Sequence, residues 1–126
     1  METALLFLLK LCIGVLPPSA GKTAQPGIAG SFAGLHNGVL LVAGGANFEQ
    51  GYPWDGGKKI YKNDIYICRK KDSGDLQWQT LASPVFPVEV AYGVSVETPE
   101  GIWCIGGQTA SGISADIHLL SFSQET

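Results

Sequence analysis

Basic residues are scarce in this chain: eight lysines and arginines stand against eleven acids, for a net charge of −3. They cluster only at Lys58-Lys59 and residues 69–71, so the cationic stripe that a DNA or RNA surface requires is missing, and nucleic acid is set aside as a partner. The three cysteines, Cys12, Cys68 and Cys104, are odd in number and form no CxxC pair, which argues against a disulfide framework and a zinc site. Cys68 and Cys104 fall at apolar strand ends, where small buried thiols are common. No segment carries the period of a long amphipathic helix. The apolar stretch at residues 4–16 is interrupted by Lys10 and is too short to span a membrane. It reads as the core of an export signal or N-terminal extension within residues 1–20, predicting a periplasmic or secreted protein; a misplaced start codon or an unusual first strand is the alternative. What the chain has in quantity is glycine, 17 residues, with seven prolines, spread along a length suited to one domain. Many tight turns and no helical period make it all-β.

The alternation places strands at residues 29–35, Val39–Ala43, 63–68 and 76–81, a four-stranded meander. The first two are joined by His36-Asn37-Gly38, whose Asn-Gly pair favours a tight hairpin. The second strand is a dense apolar run that stops at Gly44-Gly45. The order then repeats with strands at residues 92–97, 102–105 and 115–120, and with Gly106-Gly107 as the stop. Gly44 and Gly106 lie 62 residues apart, but Asp64 and Asp116 only 52, so the first unit carries ten extra residues between its diglycine and its aspartate.

Four strands per unit at this period resemble kelch propeller blades, on the apolar run into Gly44-Gly45, then Asp64, Tyr66 and Trp78, and a second set in Gly106-Gly107 and Asp116. Residues 21–84 form the first blade with its long loop, and residues 85–126 a second, incomplete one. Propellers close with four to eight blades, so two leave apolar faces open, and the pattern predicts that further blades are missing from this chain. The recurrence of Asp64 and Asp116 with the blades assigns them to turns or strand edges. His36, placed in the hairpin turn, and His118 have no triad partners and read as structural or surface residues.

The segments "GIAGSFAGLHNGVLLVAGGANF", "PWDGGKKIYKNDIYI" and "AYGVSVETPEGIWCIGGQTASGISADIHLL" resemble the N-acetylneuraminate epimerases, the sialic-acid mutarotases, across residues 17–120, and more closely their cyclically permuted branch. The resemblance implies an exported six-bladed kelch propeller that interconverts the α and β anomers of N-acetylneuraminate by acid/base ring opening, with no metal or cofactor. The family's proposed Glu and Arg pair, in an "NGE" segment followed closely by Arg, has no match here. Arg69, the one arginine, reads as part of an outer turn, and Gln108 stands where non-permuted relatives carry Glu. What the resemblance leaves to this chain is binding of a sialic acid or related sugar. The sugar's carboxylate calls for a cation, Lys58 or preferably Lys59. Asn47 and Gln108 are placed to hydrogen-bond hydroxyls, and Phe48, Trp54 and Tyr92 to pack on the sugar. Asp55 is the local candidate for an acid or base. The competing reading has the aromatic residues only pinning the loop, Asp55 only capping its turn, and the whole being a non-catalytic kelch module that binds a protein or glycan.

Overall fold

In the computed structural model, which describes residues 14–124, the alternating segments are strands. β1 (Phe32–His36) and β2 (Val39–Ala43) pair antiparallel from Phe32↔Ala43 to His36↔Val39. Between them Asn37 and Gly38 take φ of 52° and 77°, the two left-handed positions that an Asn-Gly turn tolerates best. The two-residue strands β3 (Ala46–Asn47) and β4 (Ile60–Tyr61) pair with each other, and β5 (Ile65–Lys70) and β6 (Leu76–Thr80) complete a sheet of order β1-β2-β5-β6. The second unit repeats the plan. It has β7 (Val94–Thr98), β8 (Gly101–Ile105), a small pair β9 (Gln108–Thr109) and β10 (Gly112–Ile113), then β11 (Ile117–Leu120), in a sheet of order β7-β8-β11. The chain is thus all-β, built as two antiparallel blades of the propeller kind. The only helical element among the described residues is one 3-10 turn, Pro53–Asp55.

Strand boundaries differ from the sequence pattern for local reasons. Gly30 and Tyr92 both adopt left-handed φ, so the chain bends before β1 and β7, and Ala29 and Ala91 keep only isolated bridges to Ala46 and Gln108. Arg69 corrects its reading as a turn residue: it lies in β5, paired with Gln77, and its guanidinium sits 5.2 Å from the Phe122 ring.

The blades meet face to face. Phe32, Leu41, Ala43, Ile65 and Ile67 of the first pack with Ile102 and Cys104 of the second, with Phe86 and Val90 from the connection filling the space between. The outward N–H groups of β1, which an edge strand leaves open, donate instead to the neighbouring blade: Ala33 to Ser95 Oγ at 3.1 Å and Leu35 to Glu97 Oε1 at 2.7 Å. The diglycines carry a repeated bond, Gly44 N–H to the Asp64 carbonyl at 3.0 Å and Gly106 N–H to the Asp116 carbonyl at 2.9 Å. His36 is the last residue of β1 rather than a turn residue, and it is buried. Its Nδ1 accepts the Phe122 N–H at 2.8 Å, so Nε2 carries the proton and donates to the Pro99 carbonyl at 3.1 Å, a double tie between the blades. His118 meets the Phe86 ring edge-on at 4.9 Å.

Residues 17–25 run against the first blade: Thr80 Oγ1 donates to the Pro18 carbonyl at 2.6 Å, Ser19 Oγ to Asp64 at 2.9 Å and Gln25 Nε2 to the Tyr66 hydroxyl at 3.0 Å. Most of the apolar N-terminal stretch, with Cys12, lies outside the described residues. No helix among the described residues is long and apolar enough to cross a membrane.

Cys68 and Cys104 are free, buried thiols. Burial pushes Cys104 up to about 11 from 9.0 and raises Cys68 as well. The unfolded thiol ionises first, so above pH 9 the folded chain holds the extra proton, and stability that is complete below pH 9 declines as the pH rises towards 11. Chemical denaturation across that window should show a loss of about 2–3 kcal/mol from Cys104. A flat profile would mean that the thiol is solvated in the folded chain.

Candidate functional site

The pairing of β3 with β4, Ala46↔Tyr61 and Asn47↔Ile60, closes the base of the long loop. Asn47 spends its amide on holding that base. Nδ2 donates to the carbonyls of Pro26 and Gly27 at 2.9 and 2.6 Å, and Oδ1 accepts the Phe48 N–H at 2.5 Å. Further out the loop folds on itself. Asp55 and Gly57 N–H both donate to the Tyr52 carbonyl, at 3.0 and 2.9 Å, and the Tyr52 and Trp54 rings stack at 4.6 Å with a 7° tilt. Gly57 passes so near the Gly51 carbonyl that a β-carbon has no room. Asp55, Trp54 and Lys58 all remain exposed on this loop, and the Asp55 carboxylate has no hydrogen-bond or ionic partner among the described residues.

Lys59 is placed differently. It is half-buried just before β4, and its ammonium stands 4.7 Å from the Tyr92 ring centroid and 5.8 Å from that of Phe48. Those rings come from different blades, and both distances lie within cation–π range. Two residues on, and so on the same side of the strand, the Tyr61 hydroxyl donates to Gln108 Oε1 at 3.3 Å. Gln108 is held by reciprocal backbone bonds with Ala91, of 3.0 and 2.7 Å. Phe48, Lys59, Tyr92 and Gln108 therefore gather where the loop meets the second blade.

The sequence reading did not name Tyr61; the alternation of Lys59, Ile60 and Tyr61 was the available signal. Nor did it foresee the local charge arrangement. Glu49 is taken by Lys62, the only ion pair among the described residues, which leaves the Lys59 ammonium between two π-faces without a carboxylate. A cation fixed in that way is receptive to an external anion. A separate open groove of about 610 Å³, lined by Ser19, Lys22, Glu49, Lys62, Asp64 and Glu89 among others, shares only Tyr61 with the cluster. No group of three metal-ligating side chains occurs among the described residues.

The family model for N-acetylneuraminate epimerase matches residues 11–126. The N-acetylneuraminate epimerase of Salmonella enteritidis PT4 is 36% identical over 106 residues, covering 77% of this chain and 26% of that protein. The N-acetylneuraminate epimerase of Vibrio cholerae serotype O1 is 33% identical over 121 residues, covering 88% of this chain and 30% of that protein. The solved structure of YjhT superposes with a TM-score of 0.63 at 32% identity, over 85% of this chain and 31% of YjhT. The chain thus spans between a quarter and a third of the length of these relatives. With a family match across nearly its whole length and the blade architecture to go with it, the chain belongs to the N-acetylneuraminate epimerase family.

Proposed function

We propose that this chain forms part of the sugar-binding face of an exported sialic-acid mutarotase, a propeller of about six kelch blades that interconverts the α and β anomers of N-acetylneuraminate. The observation that carries the reading is the Lys59 ammonium, held by Tyr92 and Phe48 without a carboxylate of its own. In this sugar the carboxylate is attached to the anomeric carbon, so a cation that grips it also fixes the reacting centre. Gln108 and the Tyr61 hydroxyl stand beside it for the sugar's hydroxyls. Ring opening needs a base to take the anomeric hydroxyl proton and an acid to protonate the ring oxygen; reclosure on the other face inverts the centre. A positioned pair contributes roughly 10²–10⁴-fold to such a step. The family's proposed Glu and Arg pair has no match in this chain, so in this reading its part is chiefly binding, with Asp55 on the exposed loop as its one acid or base candidate and the remaining proton transfers in other blades.

Those blades also account for an open face. Val94, Val96, Ile105, Ile117 and Leu119 are exposed on the second sheet, whereas Phe32, Gly34, Ala43, Ile65 and Ile67, the corresponding residues of the first, are buried against the second blade. A third blade seated in the same way covers them.

The test is an NMR titration of the chain with N-acetylneuraminate and with its methyl ester, which lacks the anionic carboxylate. The acid should perturb the resonances of Lys59, Tyr92 and Gln108. The ester, and the acid with Lys59→Met, should bind weaker by about 1.5–3 kcal/mol, the range for hydrogen bonds to charged groups. Equal binding of acid and ester would remove Lys59 from carboxylate recognition.

A further inference from the structure

The two blades correspond at the residue that follows their isolated bridges. In the first blade Ala29 bridges Ala46 and Gly30 follows; in the second Ala91 bridges Gln108 and Tyr92 follows. Both followers are left-handed, with φ of 70° and 64°. Glycine takes that conformation freely, whereas a residue with a β-carbon is strained in it. Tyr92 is one of two non-glycine residues with positive φ among those described, and the other, Asn37, is of a type that tolerates it. Burial does not explain the choice, because Tyr92 is 47% exposed.

The surroundings of the ring do explain it. Tyr92 N–H donates to the Gly30 carbonyl at 2.8 Å, and the ring lies so close over Gly30 that a β-carbon there would overlap it. One left-handed glycine thus makes room for the side chain of its left-handed counterpart. The ring so fixed carries the Lys59 ammonium at 4.7 Å.

We propose that Tyr92 is a positioning residue: its strained backbone holds the ring as a platform that sets the place of Lys59. Its bearing on sugar affinity rests on the carboxylate reading above; its bearing on the lysine does not. The discriminating variant is Tyr92→Gly, which copies the first blade and relieves the strain, with Tyr92→Phe as the conservative partner.

In the intact chain and in Tyr92→Phe, the Lys59 side-chain methylene protons should show an upfield ring-current shift, and in Tyr92→Gly most of it should vanish. Affinity for N-acetylneuraminate should stay within about twofold in Tyr92→Phe and fall about fivefold in Tyr92→Gly. The thermal midpoint of Tyr92→Gly should be unchanged or higher. An unaltered Lys59 shift in Tyr92→Gly overturns the proposal, as does a loss of affinity that merely follows a loss of stability. If the shift changes as expected while neither protein distinguishes the acid from its methyl ester, Tyr92 still positions Lys59, and it is the carboxylate reading that falls.

Discussion

Gly44→Ala lowers the stability of the chain by about 3–5 kcal/mol, while Gly106→Ala, at the equivalent place 62 residues later, costs only about 1–2 kcal/mol. The two glycines share a left-handed φ, 72° and 66°, and each donates its N–H to the carbonyl of its blade's aspartate. Conformational strain is therefore common to both substitutions. The difference lies in what stands over the turn. A β-carbon on Gly44 would lie 2.5 Å from the Val90 carbonyl oxygen, the acceptor of the Gly45 N–H at 2.8 Å. The strand connection must then move away, and its hydrogen bond to the first blade goes with it, a further cost of about 1–3 kcal/mol. On Gly106 the nearest atom is the Ser114 carbonyl oxygen at 3.4 Å, within ordinary accommodation. Paired urea titrations measure the gap. Equal losses would mean that the connection at Val90 does not sit on the Gly44 turn in solution.

That contrast separates what the sequence could and could not disclose. The strands were legible because their signals are local. Period-two alternation, the Asn37-Gly38 turn and the two diglycines mark β1, β2, β5, β6, β7, β8 and β11 within a few residues of their true ends. β3, β4, β9 and β10 were not, since two residues carry no period. At the site, the family resemblance and the chemistry of the sugar it implies named the candidate side chains, of which Phe48, Lys59, Tyr92 and Gln108 come together. Chemical aptness called for a cation and fitted Lys58 and Lys59 equally; the fold distinguishes them by leaving Lys58 exposed and setting Lys59 between rings from two blades. Asn47 has suitable chemistry, but its amide is spent on the carbonyls of Pro26 and Gly27, some twenty residues away in sequence, a pairing that no local pattern encodes.

The connection between the blades yields the second large effect: Phe86→Ala costs about 3–5 kcal/mol, as much as a residue at the centre of a sheet. The segment "ASPVFPVEV" has no alternation and carries two prolines, yet Phe86 is only 2% exposed. Its backbone N–H donates to the Asn63 carbonyl at 2.9 Å, which ties the connection to the first blade. The ring then reaches between the blades, 5.5 Å from the Phe32 ring and 4.9 Å from the His118 ring. Truncation would empty a space bounded by both sheets, and neither can collapse into it without disturbing the bonds that β1 donates to Ser95 and Glu97. The preceding residue is the control. Val85 is 45% exposed, and Val85→Ala should alter stability by no more than about 0.5 kcal/mol. Chemical denaturation of both variants decides the matter: a mild Phe86→Ala would show that the blades are held by the sheet-to-sheet contacts alone, and a severe one that the linker is a wedge on which their packing depends.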